Sequence, residues 1–169
     1  MKSITFSFAT NPQDIDTLIL PVTDQGEIPN NITVLHDLES ITSLVKTLHD
    51  DNDFLGKIAK TLLLLKPTGI NIKRLLLVGV GSLDKLTTKG YLSALKAAAD
   101  ALDHCGTEHA VNALVQVAPQ SIDTADSLAW ASMQIAQVFQ KSFYDYAHES
   151  RGEHSAKEPK LNTMTLLCE

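Results

Sequence analysis

The most strongly patterned stretch of the chain is a continuous apolar run that ends in two glycines, Arg74–Gly81. Such a run is typical of a strand that is buried on both faces of a sheet and covered by helices on each side. The glycines indicate a sharp turn or a close approach of the backbone at its end. Thr87 or Thr88 can then cap a helix that runs to about Gly106. The pattern predicts a strand–loop–helix unit whose strand is the central strand of the sheet.

The other predicted strands have alternating or continuous apolar residues. Ile4, Phe6 and Phe8 alternate with Ser and Thr, which predicts a half-buried strand near a sheet edge. In the second strand, Pro21 is expected to mark the strand end or a sheet edge. Ile32–Leu35 is either a short strand or the lead into a helix. The remaining strands are predicted over Thr17–Val22, Ile58–Leu65, Val111–Val117 and Leu161–Leu167.

Helical spacing of apolar residues predicts three helices. The first presents Ile41, Leu44, Val45 and Leu48 on one face and ends at the acidic turn 50–53. The helix after Gly81 buries Tyr91, Leu95, Ala98 and Leu102. The last helix is expected to be capped by Ser121 or Asp123 and to bury Leu128, Ala131, Ile135, Phe139, Phe143 and Tyr146. The charged segment Glu149–Pro159 is predicted to be a mobile connector.

Strands that alternate with helices predict an α/β sandwich. The sheet is expected to be mixed, because strands follow each other without a helix both at the start of the chain and over Ile58–Val80. With 169 residues, 44% of them hydrophobic, the chain has the size of a single domain with a sizeable core.

Charge disfavours nucleic acid as a partner, because the formal net charge is -6 and only Arg74 and Arg151 are arginine. Cys105 and Cys168 suggest no disulfide framework. The N-terminus lacks the apolar core of a signal peptide, and no apolar run approaches the length of a membrane span. A cytoplasmic protein without a membrane partner is therefore expected.

The segment Gly79–Ser82 is the first candidate binding site, because a glycine loop after a strand can hold phosphate. A dinucleotide fingerprint needs a third glycine where Asp84 stands, and the helix begins several residues late. No Gly-Lys-Ser/Thr sequence occurs either. A tight strand-to-helix turn is the favoured interpretation.

Three segments contain residues of the types that bind metals. Asp50, Asp51 and Asp53 with Gly56 fail as a calcium loop, because Leu62 stands where a bidentate glutamate is required, and a solvated acidic turn is preferred. His148-Glu149 and Glu153-His154 match neither zinc motif, because Gly152 stands at a required histidine, and a polar linker is preferred. His104, Cys105 and His109 lack a fourth ligand at regular spacing.

No Gly-x-Ser-x-Gly nucleophile motif occurs, and Trp130 on the last helix is expected to serve packing or an interface rather than to act as a stacking platform. The sequence therefore assigns no catalytic, metal-binding or cofactor-binding residue to this chain.

A series of motifs nevertheless resembles one family over essentially the whole chain. The series comprises Asp53–Lys57, Lys73–Gly81, Leu86-Thr87 with the aromatic Tyr91 and an alanine-rich helix, Tyr144–Tyr146, and Lys157–Leu161 before the last strand. In this order the motifs resemble the N-terminal domain of the leucyl aminopeptidases, also called cytosol aminopeptidases. Lys73–Gly81 and the helix after it are the most specific part of the resemblance.

The resemblance implies a three-layer α/β/α sandwich around a mixed sheet, similar to macro domains. It implies that residues 1–169 form one accessory domain of a homohexameric peptidase, in contact with its own catalytic domain. In this family the C-terminal domain, absent here, binds two divalent metals, zinc or manganese, and removes N-terminal residues from peptides. Two alternatives stay open: ADP-ribose binding near Gly79–Ser82, and a DNA-binding accessory role, which the charge disfavours.

Overall fold

The computed structural model describes residues 3–32, 37–103, 105–149 and 160–168, with side chains described up to residue 143 in the third range. The strands are β1 (Thr5–Ala9), β2 (Thr17–Thr23), β3 (Thr61–Leu65), β4 (Arg74–Gly81), β5 (His109–Asn112) and β6 (Thr163–Leu167). The helices are α1 (Leu38–Asp50), α2 (Thr88–Asp103) and α3 (Ser127–Glu149), and short 3-10 helices cover Leu83–Lys85 and Leu114–Gln116.

The six strands form one sheet in the order β1-β6-β5-β2-β4-β3. Every neighbouring pair is parallel except β3 and β4, which are antiparallel, so the predicted mixed sheet is confirmed. The first two strands, which follow each other without a helix, are not a reason for the mixed sheet as expected, because they do not pair with each other. Strand β1 pairs with β6, while β2 lies between β5 and β4. All residues of β2 are buried, as is typical of an interior strand covered on both faces, whereas the half-polar β1 suits an edge.

Strand β4 is buried on both faces, as the apolar run predicts, and Leu75 to Val78 have no exposed surface. The prediction that it is the central strand was wrong. It lies second from the edge, next to β3, and the middle positions belong to β5 and β2.

Helices cover both faces of the sheet, which confirms the three-layer α/β/α sandwich. Successive residues of a strand point to opposite faces, so Leu76 and Val78 of β4 join the core beneath α2 and α3, while Leu75 and Leu77 join the core beneath α1. Tyr91 and Phe139 are the largest buried side chains of the first core.

Two predicted strands are shorter than expected. The strand predicted over Ile58–Leu65 begins only at Thr61, because Ala59 has a positive φ of 58° and residues 58–59 form a turn. The strand predicted over Val111–Val117 ends at Asn112. The side-chain Oδ1 of Asn112 accepts a hydrogen bond from the Leu114 N–H at 2.9 Å, which turns the chain into a 3-10 helix.

The strands over Thr17–Val22 and Leu161–Leu167 are confirmed within two residues. Strand β1 is an edge strand as predicted, but Phe8 is 59% exposed rather than buried. Pro21 stands within β2, beyond Ile19, the last residue that β2 pairs with β5. The expected strand end or sheet edge at Pro21 was therefore wrong, because β2 continues to Thr23, pairs Pro21 with Val78 of β4 and lies inside the sheet, although no residue of β5 pairs with Pro21.

The first two helices agree with their predictions. In α1, Ile41 and Val45 are buried, and the helix ends at the acidic turn. The Thr87 hydroxyl accepts a hydrogen bond from the Gly90 N–H at 3.1 Å, so Thr87 caps α2. The predicted buried face of α2 is confirmed, since its four residues are at most 2% exposed.

Helix α3 begins at Ser127, later than either predicted cap allows, because the Asp123 carboxylate accepts a hydrogen bond from the Ala125 N–H in a separate turn. Its buried stripe is confirmed at Ala131, Ile135 and Phe139, but Leu128 is 42% exposed. The side chain of Tyr146, residues 33–35 of the possible short strand and most of the predicted connector lie outside the described residues.

Replacement of Val78 by Asp tests the buried position of β4. An unpaired carboxylate there is expected to lower the free energy of unfolding by about 4 kcal/mol or more, a large part of a typical domain stability of ~5–15 kcal/mol. Denaturant unfolding followed by circular dichroism measures the loss. Val78→Thr, which has the same shape without charge, is expected to lose only about 1–3 kcal/mol. Equal losses would contradict the assignment to a closed core.

Replacement of Tyr91 by Phe tests the polar contact within the larger core. The Tyr91 hydroxyl donates a hydrogen bond to the Leu114 carbonyl at 2.8 Å, and burial raises the pKa of the phenol well above its usual value. At neutral pH the variant is expected to lose about 1–2 kcal/mol, because the carbonyl loses its partner.

The same variant has a defined pH dependence. The unfolded chain ionises Tyr91 near pH ~10 while the folded chain keeps it neutral, so high pH stabilises the unfolded state of the original chain only. The difference in free energy of unfolding between the original chain and Tyr91→Phe should therefore shrink above pH ~10, by up to about 1.4 kcal/mol per pH unit. Unfolding curves that keep a constant difference up to the alkaline limit would contradict this.

Candidate functional site

The carboxyl ends of the parallel strands β2, β4 and β5 meet at one edge of the sheet, where open α/β sheets commonly bind ligands. Three segments converge on this carboxyl edge: the glycine turn Gly79–Ser82, the segment Gly56–Lys60 that precedes β3, and the loop Asp24–Asn31 that follows β2. Together these three segments determine whether a ligand has access to the edge.

Two backbone amides of the glycine turn, those of Gly79 and Gly81, are bonded to the chain itself. The Gly79 N–H donates to the Lys60 carbonyl at 2.7 Å, and the Gly81 N–H donates to the Gly56 carbonyl at 3.0 Å. In return, the Ala59 N–H donates to the Gly79 carbonyl at 3.0 Å. A phosphate-binding loop offers such N–H groups to the ligand, and here both are engaged by Gly56–Lys60.

The close approach of these two segments explains their glycines. A Cβ atom on Gly79 would lie well inside van der Waals distance of the Lys57 carbonyl, and one on Gly56 would do the same to the Thr23 carbonyl. Gly81 is glycine for a different reason, because its φ is +66° and the nearest atom to an added Cβ is 3.8 Å away. The glycines thus make a tight turn, as the sequence predicts.

The helix beyond the turn starts late, also as predicted. The 3-10 helix Leu83–Lys85 lies between the glycine turn and α2, so the α2 N-terminus is set apart from the glycines. Asp84, which stands in place of the third glycine, accepts a hydrogen bond from the Gln120 side-chain amide at 3.1 Å. This contact ties the turn to the segment that precedes α3.

The loop Asp24–Asn31 is held against the same edge at two points. A ring nitrogen of His49, near the end of α1, lies 3.1 Å from the Asp24 carbonyl, and the Asn31 amide donates to the Gln116 carbonyl at 2.6 Å. An added Cβ on Gly26 would overlap the His49 side chain. Sequence reasoning did not single out His49 or Asn31, since a histidine in the last turn of a helix has an ordinary electrostatic explanation.

The candidate metal ligands do not converge within the described residues. Asp50, Asp51 and Asp53 are exposed at the end of α1, and no group of three or more His, Cys, Asp and Glu residues in the described ranges is arranged to hold a metal ion. The Cys105 thiol lies 2.9 Å from the Thr107 hydroxyl, and His109 is exposed at the start of β5.

His104, residues 153–154, and the side chains of His148 and Glu149 lie outside the described residues. Trp130 packs against Tyr91 with ring centroids 5.4 Å apart, which confirms the predicted packing role. None of the described helices is long and apolar enough to cross a membrane.

Replacement of each glycine of the turn by alanine separates steric overlap from backbone strain. Gly79→Ala is expected to lower the free energy of unfolding by about 3 kcal/mol or more, because the Lys57 backbone must move. Gly81→Ala, which meets open space at positive φ, is expected to lose about 1–2 kcal/mol. Urea unfolding of both variants checks the order, and a larger loss at Gly81 would contradict the packing described here.

Comparison with known proteins places this geometry in a family. Residues 19–149 match the profile described as the cytosol aminopeptidase family, N-terminal domain. A probable cytosol aminopeptidase of Hydrogenovibrio crunogenus is 44% identical over 171 residues, which cover 100% of this chain and 33% of that protein. A probable cytosol aminopeptidase of Nitrosococcus oceani is 31% identical over 125 residues, which cover 74% of this chain and 24% of that protein.

Solved structures share the fold at lower sequence identity. A tomato leucine aminopeptidase variant superposes with a TM-score of 0.66 at 20% identity, covering 99% of this chain and 33% of that one. The macrodomain of Mycobacterium tuberculosis DarG superposes with a TM-score of 0.63 at 9% identity, covering 98% and 99%. A Trypanosoma brucei macrodomain in complex with ADP-ribose gives 0.61 at 9% identity, covering 96% and 64%.

These similarities confirm the macro-domain-like sandwich and the resemblance found in the sequence. The chain spans a third or less of the length of the two aminopeptidases named above. The part that it spans is the part that the family profile describes as N-terminal. The chain belongs to the cytosol aminopeptidase family and corresponds to its N-terminal domain.

Proposed function

We propose that residues 1–169 form a single non-catalytic accessory domain of a cytoplasmic aminopeptidase, and that the chemistry belongs to a C-terminal domain outside this chain. One observation carries this proposal. The match to the Hydrogenovibrio crunogenus relative runs over the whole chain at 44% identity, yet accounts for only 33% of that protein. The remaining two thirds of such a protein are long enough to contain a catalytic domain.

The proposed parent reaction is two-metal hydrolysis of the N-terminal peptide bond. Two divalent ions, zinc or manganese, would activate a bridging water for attack on the peptide carbonyl. Metal ligands, substrate contacts and a homohexameric assembly are assigned to the parent protein, with the catalytic domain as the direct partner of this chain.

The geometry of the carboxyl edge favours a scaffold over the alternative of nucleotide binding. The Gly79 and Gly81 amides, two of the four in the glycine turn, donate to the chain's own carbonyls and so are not offered to a phosphate. Asp84 adds a negative charge beside the turn, and the similarity to macrodomains at 9% identity extends to the fold alone. DNA binding is disfavoured by the net charge of -6.

A chimera tests the proposed role. The 169-residue chain would be joined to the remaining two thirds of the Hydrogenovibrio crunogenus relative, in place of that protein's own matching third. With manganese and Leu-p-nitroanilide, the chimera is expected to hydrolyse the substrate, whereas the 169-residue chain alone is expected to show no turnover. The matched control is the same two thirds of the Hydrogenovibrio crunogenus relative, expressed without any N-terminal domain.

Two results would contradict the proposal. Robust, metal-dependent turnover by the 169-residue chain alone would place the active site within it. Calorimetric titration of the same chain with ADP-ribose that gives a Kd of about 1 μM, or ~8 kcal/mol of binding free energy, would instead favour the nucleotide-binding alternative.

A further inference from the structure

A second concave surface lies at the opposite end of the sheet from the carboxyl edge. It is a groove of about 470 Å³ between the loop that precedes β2 and the loop that joins β3 to β4. We name it the amino-edge groove, and its lining includes Asp14, Ile15, Lys66, Ile70, Ile72 and Lys73. No candidate from the sequence falls in this groove, and the proposed scaffold function does not use it.

The groove has an apolar wall that is fixed by the core. Ile70 and Ile72 are buried members of the core beneath α1, at 8% and 9% exposure, and the half-buried Ile15 packs against the same core. Side chains held in this way cannot turn away to leave a polar surface. The wall therefore offers a small, preformed apolar contact for a ligand.

Two charges of opposite sign border this wall and lack partners. Asp14 and Lys66 are both exposed, and within the described ranges neither side chain makes a hydrogen bond or an ion pair, including with the other. Both backbones are in the left-handed region, with φ of 52° and 47°, which costs free energy in residues other than glycine. Residues held in such conformations are enriched at ligand sites.

The other charges in the groove are committed to one another. The Asp16 carboxylate lies 3.1 Å from the Arg74 guanidinium and 3.7 Å from the Lys73 ammonium, and its side chain is only 14% exposed. Asp16 therefore offers little to a ligand. Lys73, whose side chain is 73% exposed, shares that carboxylate with Arg74 and adds positive charge to the lining.

We propose that the amino-edge groove binds a small zwitterion with an apolar side chain, either a free amino acid or a short peptide. The ligand's ammonium group pairs with Asp14, its carboxylate pairs with Lys66, and its side chain packs on Ile15, Ile70 and Ile72. A ligand with one charge would leave either Asp14 or Lys66 unpaired. The proposal rests on this groove alone and does not depend on the proposed aminopeptidase activity.

Isothermal titration calorimetry of the 169-residue chain tests the proposal with defined probes. L-leucine and the dipeptide Leu-Leu would each be titrated to about 10 mM, enough to fill a site with a Kd of about 1 mM. At least one of them is expected to bind, and the comparison identifies amino acid or peptide as the ligand. N-acetyl-leucine, which lacks the ammonium, and leucine amide, which lacks the carboxylate, are each expected to bind about tenfold more weakly or worse.

Matched variants locate the site. Asp14→Asn and Lys66→Gln are expected to weaken zwitterion binding about tenfold, while Asp51→Asn and Lys89→Gln, exposed residues outside the groove, are expected to leave it unchanged. The double variant Asp14→Lys with Lys66→Glu, which exchanges the charges, should bind better than either single reversal. Circular dichroism confirms that each variant is folded.

Three outcomes would overturn the proposal. Neither zwitterion binds the folded chain at about 10 mM, a single-charge analogue binds as well as its zwitterion, or the control variants weaken binding as much as the groove variants. Each of these readouts is independent of peptidase turnover, so the proposed function and this inference can fail separately.

Discussion

The carboxyl edge of the sheet depends on one constraint, the contact between Gly56–Lys60 and the carboxyl end of β4. Three backbone hydrogen bonds join the segments, and neither Gly79 nor Gly56 has room for a side chain. The contact directs the chain through the turn at Ala59 into β3, which then runs antiparallel to β4. One close backbone approach thus accounts for both the mixed sheet and the engaged amides of the glycine turn.

The same contact affects which backbone groups remain available to a ligand at the carboxyl edge. Macrodomains share the sandwich, and one of them has been solved with ADP-ribose. A binding site depends on which groups remain available at the sheet edge, and here the Gly79 and Gly81 amides donate to the chain's own carbonyls. His49 and Asn31 hold a further loop over this edge.

The two ends of the sheet therefore differ in character. At the carboxyl edge, backbone groups are paired internally and glycines permit dense packing. At the amino edge, Asp14 and Lys66 have no side-chain partner among the described residues and lie beside an apolar wall, although Asp16 nearby is engaged with Arg74 and Lys73. A domain whose backbone groups are paired at the carboxyl edge can still present a chemically distinct surface at its other end.

The sequence by itself determined the α/β class, the buried strand β4, the capped helix α2 and the family, because these depend on apolar periodicity and on short local motifs. It did not determine the strand order, since the burial of β2 and the edge position of β1 emerge only when strands from distant parts of the chain pair. Local side-chain bonding at Asn112 and the turn at Ala59 shortened two strands that apolar composition predicts to be longer. The closed glycine turn and the amino-edge groove were decided by tertiary structure alone, because both arise where residues far apart in sequence meet.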